Sequence, residues 1–341
     1  MAGIKALRRI QGGAESVAGT KVAAAWLWRG TGVGRDMTEV TFVEEDIGLM
    51  GDASRTYIAK TGSEISLDGV ASFEQLGYIY QSGLYATTPT TDAGSAQVWT
   101  WNAQVSSTDP IATTDLQTYT LEYGDNTQCE YSTYCFTREY TLSGSVREAL
   151  MIQATMEGRA TGTTDYTPST DAPLADADSI LFSSGELYID DVTSSTDIGV
   201  TQVSQTLFQA QLNHTTGWKG YPAADGRTDF SFIKRVKDEI TLSLTFEHNS
   251  SAVAEKDKWR SQTERCIRLK FTGNAMSTTD AGAAYNVKTY IIDLWGKWES
   301  FEALSDNDGN DQVVGVFRAG YSTLAGLKAR FIVANELASM P

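Results

Sequence analysis

Residues able to do chemistry are few and scattered. Only two histidines occur, His214 and His248. Each falls at or just past the end of a predicted strand. Glu247 adjoins His248, but strand neighbours face opposite sides. Neither histidine has a cysteine or carboxylate at metal-ligand spacing, so packed or surface histidines are expected. The acidic run Asp306-Asn-Asp-Gly-Asn-Asp311 alternates oxygen ligands as calcium loops do. An EF-hand needs Gly at its sixth position and Glu at its twelfth. Counted from Asp306, Gly309 is fourth and Phe317 twelfth, so a solvated β-turn is expected. Gly30-Thr-Gly-Val-Gly34 lacks the Lys-Ser/Thr of a phosphate loop and reads as a flexible loop. No nucleophile elbow or dinucleotide fingerprint is present. The chain is not expected to be an enzyme, and no cofactor is implied.

Cys129, Cys135 and Cys266 are odd in number and read as small reduced side chains. The pairs Trp26/Trp28, Trp99/Trp101 and Trp295/Trp298 suit either a sugar-stacking platform or core and subunit packing. A glycosidase needs two carboxylates about 5–9 Å apart, which a sequence this acidic does not exclude.

The 341 residues carry a net charge of −16, and the charge is segregated. From 61 to 137 there is no Lys or Arg against nine carboxylates, and from 160 to 218 none against eight. Basic residues collect at the N-terminus and between Lys219 and Lys270. Duplex-binding domains have the opposite sign, so tight DNA binding is unexpected. No apolar run approaches the ~20 residues of a membrane helix. The N-terminus lacks the apolar core of a secretory signal, so assembly in a cytoplasm and no membrane insertion are expected.

Few prolines and many Thr, Ser, Gly and Tyr predict sheets joined by polar turns. Residues 1–22 read as a basic, glycine-broken arm, and 23–28 start the first sheet. Residues 37–45 alternate as a half-buried strand. Residues 72–84 change to helical period, with Ser72 as a plausible N-cap. Residues 104–115 are polar and turn-rich. Residues 161–180, rich in Thr, Asp and Pro, form the best linker. It separates a first β domain (23–160) from a second (181–341), each offering one helix against many strands.

The two halves are related. Glu64-Ile65-Ser66-Leu67 runs into the helix at 72–84, and Glu239-Ile240-Thr241-Leu242 runs into one at 250–262. Strands 119–124 and 134–144 then correspond to 267–273 and 289–298. Duplicated β domains suit pseudo-symmetric assemblies such as rings, tubes and shells.

Leu7-Arg-Arg-Ile-Gln11, Glu15-Ser16 and Gly19-Thr20-Lys21 together resemble the opening of major tail tube proteins of long-tailed bacteriophages with non-contractile tails. So do Ile65-Ser-Leu-Asp-Gly69 with Phe73-Glu-Gln-Leu-Gly77, and the strands from Tyr119 to Arg159. The resemblance covers most of the first half, and the second half through the repeat. It implies a mainly β fold: two tandem antiparallel β-sandwiches or half-barrels, each with one packed helix. It implies a virion protein whose rings, trimeric and pseudo-hexameric here, stack into a tube conducting genomic DNA. Partners would be further copies of itself, a tape-measure protein, and tail terminator and distal tail proteins. Carboxylates expected on the channel wall are Glu122, Asp125, Glu139, Asp293 and Glu299. The ring-stacking arm would use Lys5, Arg8, Arg9 and Lys21. Another virion ring protein (terminator, baseplate or decoration) and a carbohydrate-binding β-sandwich are the competing readings.

Overall fold

A computed structural model describes residues 3–48, 50–51, 54–103, 116–168, 170–172, 176–193 and 197–340. The polar stretch at 104–115 lies outside the described residues. The first half carries β1 (Arg9–Ala14), β2 (Trp26–Leu27), β3 (Thr31–Asp36), β4 (Glu39–Phe42), β5 (Thr56–Lys60) and β6 (Ser63–Val70). Helix α1 (Leu76–Gly83) follows, then β7 (Thr90–Thr91), β8 (Gln97–Ala103) and β9 (Tyr119–Gly124). β10 (Cys129–Ser145), β11 (Met151–Gly158) and β12 (Gly162–Thr164) complete it. The second half begins with β13 (Gly185–Asp191), β14 (Leu207–Thr215), β15 (Trp218–Tyr221), β16 (Phe232–Arg235) and β17 (Glu239–Glu247). Helix α2 (Ser250–Arg260) leads to β18 (Arg265–Ala275), β19 (Val287–Phe301), β20 (Ser305–Asn307), β21 (Asn310–Ala319) and β22 (Ala329–Asn335). With 51% of the chain in strand and all named pairings antiparallel, the class is mainly β.

The repeat is visible in strand pairing. The first half pairs in the order β1–β9–β10–β11–β6–β3. The second pairs β13–β18–β19–β21–β17–β14. In each, the helix leaves the end of the strand that carries Glu-Ile-Ser/Thr-Leu. The halves join where β10 pairs with β14 and where β22 pairs with β8. Traced strand by strand, the pairings branch but never return to their start.

One apolar cluster runs through both halves, where a core for each half was expected. Tyr80 stacks on Phe331 at 5.0 Å and meets Tyr140 edge-on at 5.5 Å. Its hydroxyl also hydrogen-bonds that of Tyr290. All six paired tryptophans are buried, which removes them from any sugar-binding platform. The stretch expected as a linker is fastened down. β12 pairs with β10, the Ile180 amide donates to Ala71, and Lys288 bonds both Glu74 and Asp178.

Local chemistry explains several boundaries. The Gln75 amide donates to Ser72 Oγ at 3.2 Å, but that closes a turn, and α1 starts only at Leu76. All eight α1 residues are buried, so this helix has no solvent face. Asn249 caps α2 by accepting from the Ser251 and Ala252 amides. Asp308 and Gly309, both at positive φ, turn the β20–β21 hairpin, and Asp306 Oδ1 accepts from the Gly309 amide at 2.8 Å.

Three expectations fail here. The basic arm is not free, because its residues 9–14 form β1, paired along its whole length with β9 and mostly buried. The glycine-rich run 30–34 is not a loop, because β3 begins within it. Tyr123 and Ile10 occupy the spaces that Cβ atoms at Gly34 and Gly32 would need. Residues 37–45 are not a half-buried strand, because β4 pairs only with β5 in an exposed hairpin carrying Val40, Phe42, Tyr57 and Ile58 outward.

Candidate functional site

The largest built surface is a sheet of eight strands, β3–β6–β11–β10–β14–β17–β21–β19. Alternation sends one set of side chains to the core, including Leu67, Ala154, Tyr140, His214, Leu242 and Phe317. The other set faces solvent. One row crosses the whole sheet: Thr31, Asp68, Gln153, Thr141, Asn213, Thr241, Arg318 and Lys297 stand opposite one another in turn. The adjacent row reads Val70, Met151, Ser143, Gln211, Ser243, Val316 and Ser300. Thr141 Oγ1 donates to Asn213 Oδ1 at 3.0 Å across the joint between the halves. The middle of the face is therefore hydroxyl and amide. Along these rows Asp68 stands toward one end and Arg318 and Lys297 at the other, while a third row brings exposed Glu139 and Glu239 onto the inner strands β10 and β17. Such a surface holds water and offers no array of fixed cations to phosphate.

The predicted carboxylates separate. Glu139 lies exposed on this polar face, 3.3 Å from Arg138. Glu299 is exposed at the sheet's far edge, in a bulge of β19, and pairs with Arg318 at 3.3 Å. Asp125 is half-buried in the β9–β10 turn and accepts the Thr127 and Gln128 amides. Those bonds hold its carboxyl below the usual range.

Glu122 and Asp293 correct the expectation of exposed wall charges. Glu122 is buried and accepts from Gln11 Nε2 (2.7 Å), the Thr167 amide (2.8 Å) and Thr167 Oγ1 (2.9 Å). Asp293 has no exposed side-chain surface. Arg268 Nε reaches it at 2.6 Å and Arg330 Nη2 at 2.7 Å, from strands on either side. Both stand on the strand face opposite the core residues Leu121, Tyr123, Ile292 and Leu294, where Gln11 and Thr167 cover the one and Arg268 and Arg330 the other.

The predicted basic residues also divide. Lys5 and Arg8 are exposed around the short 3-10 turn before β1. Arg9 instead stacks over Tyr166 at 3.9 Å. Lys21 lies over Tyr131 at 4.0 Å and donates to Thr164 Oγ1. These two are spent within the chain.

Sequence reading missed the polar core of the joint. His214 on β14 stands opposite Tyr140 on β10, with Nδ1 2.8 Å from the tyrosine hydroxyl. Its Nε2 lies 3.8 Å from Asp238 Oδ2, too far for a hydrogen bond. Burial lowers the His214 pKa, which Asp238 only partly offsets. Burial alone would raise the Asp238 carboxyl, but His214, Lys328 and Arg235 outweigh it and hold it well below the carboxylate range. Burial pushes the thiols of Cys129, Cys135 and Cys266 up to about 12, so none is a poised nucleophile.

Both ends of the eight-stranded sheet are open. Among the described residues, β3 pairs only with β6, and β19 beyond Gly296 pairs with no strand but β21, though Trp259 of α2 packs against it at Phe301. An open groove follows each end, one past Gly32, Val33 and Gly34, the other past Gly296, Lys297, Trp298 and Glu299. No protein-family model matches the chain, and a search of curated proteins finds no match.

Proposed function

We propose that this chain is the subunit of a hollow self-assembled conduit, the tail tube of a long-tailed bacteriophage. The observation that carries this reading is the eight-stranded sheet: two repeats already joined edge to edge, with a polar face rich in hydroxyl and amide groups and outer edges that take no strand partner among the described residues. Open edges promote pairing with another chain, and a closed ring removes them. With two repeats per chain, three copies make a ring of pseudo-six-fold character. The polar face forms the inner wall. DNA slides because hydroxyl and amide groups hydrate the wall without binding phosphate. The wall in this reading is mainly hydroxyl and amide, with the exposed carboxylates Glu139 and Glu239 on its inner strands.

Electron microscopy of the purified protein tests the reading. Open-ended tubes support it. Closed single rings favour a terminator-type ring protein, and monomers at every concentration refute self-assembly.

A further inference from the structure

The joint inside the chain is a template for a second joint between chains. In the first repeat, Gly32, Leu67, Ala154 and Tyr140 stand in one row. In the second, Leu212, Leu242, Phe317 and Trp298 do. Leu67 and Leu242 close the matching Glu-Ile-Ser/Thr-Leu segments. β3 is therefore equivalent to β14, and the end of β19 to β10. Yet β10 is paired with β14, while their equivalents are both unpaired on their outer sides.

We propose that a second copy of this chain seats its β3 against the end of β19, in the register β14 uses against β10. This rests on the self-assembly proposed above and specifies its contact. Within the chain Tyr140 faces His214 and Thr141 faces Asn213. The equivalent intermolecular pairs are Trp298 with Gly34 and Ser300 with Val33. The Glu299 bulge is accommodated without a ladder partner, since its carbonyl already accepts from Trp259 Nε1 at 3.0 Å. Glycine at 34 presents no side chain to the edge, and the Tyr123 ring of its own chain covers its core side. Lys297 falls opposite Arg35, with Glu64, the register partner of Arg35, and Glu299 beside them. Within the chain these two carboxylates pair with Arg138 and Arg318, at 3.3 Å each.

Cysteine pairing tests the register. Directly opposed residues on antiparallel strands lie within disulfide reach, whereas a two-residue slip moves them about 7 Å apart along the strand. The three native thiols are buried. Val33→Cys and Ser300→Cys chains, mixed after assembly and oxidised, should form a disulfide-linked dimer that neither gives alone. The double variant should give a ladder ending at a closed species. Thr31→Cys with Ser300→Cys should stay unlinked. Size measurement of the same samples separates the outcomes. Assemblies without the 33–300 bridge, or with the 31–300 bridge preferred, overturn this pairing while leaving self-assembly intact. Samples that never associate overturn both proposals.

Discussion

His214 is a buried imidazole at the joint, and burial lowers its pKa. Between that depressed value and the unfolded value of about 6.5, the unfolded chain holds a proton the folded chain refuses. Stability therefore falls as pH drops below about 6.5, by up to ~1.4 kcal/mol per unit. Asp238 acts in the same direction over a lower range: its contribution is present above about pH 4 and lost below it. Urea unfolding from pH 7.5 to 5 should show the loss, and His214→Asn, which can keep the Tyr140 bond, should flatten it. Parallel curves for the two proteins would refute the assignment. Asp293 gives a second expectation. Asp293→Asn leaves two arginines facing a neutral amide, and breaking a buried pair costs about 3–5 kcal/mol. Chemical denaturation reads this directly, and a loss under about 1 kcal/mol contradicts it. That Asp293 is acidic and on a strand was legible from sequence. That arginines flank it was not, because Arg268 and Arg330 come from other strands.

At the scale of elements, the N-terminal segment changes role. Deleting residues 2–20 does not take away a stacking arm alone. It instead removes β1, strips β9 of a partner, takes Gln11 from Glu122, and loses Ile10, whose burial alone contributes roughly 2 kcal/mol. The truncated chain should lack a cooperative unfolding transition. Deleting residues 2–7 should leave stability nearly unchanged, since those described are exposed. Circular dichroism melts of both variants decide; a cooperative melt for the longer deletion would show that β1 is dispensable. The glycine-rich start of β3 misled for a related reason. Glycine signals freedom in a sequence, whereas here it is needed because Tyr123 and Ile10 pack where side chains would stand.

For the whole molecule, the proposed conduit depends on the middle of the polar face, from β11 to β14, offering no row of cations. Gln153→Lys, Gln211→Lys and Asn213→Lys all substitute exposed positions, so each should alter stability by no more than about 0.5 kcal/mol. Virions built with all three should eject DNA more slowly, most of all at low salt, where phosphate contacts are strongest. Normal ejection at low salt would remove the electrostatic part of the proposal.

Sequence alone determined the β class, both helices and the correspondence of 64–67 with 239–242, because periodicity and repetition are local signals. Strand alternation was equally readable, but not which alternate set faces inward, since a one-residue shift inverts the faces. Tertiary pairing alone decided that Glu122 and Asp293 are covered by groups from distant segments and that β10 takes β14 as a neighbour. It also left β3 and the end of β19 without outer partners. Each of these depends on strands far apart in the chain, and residue order carries no direct record of which distant strand supplies the hydrogen-bonding edge.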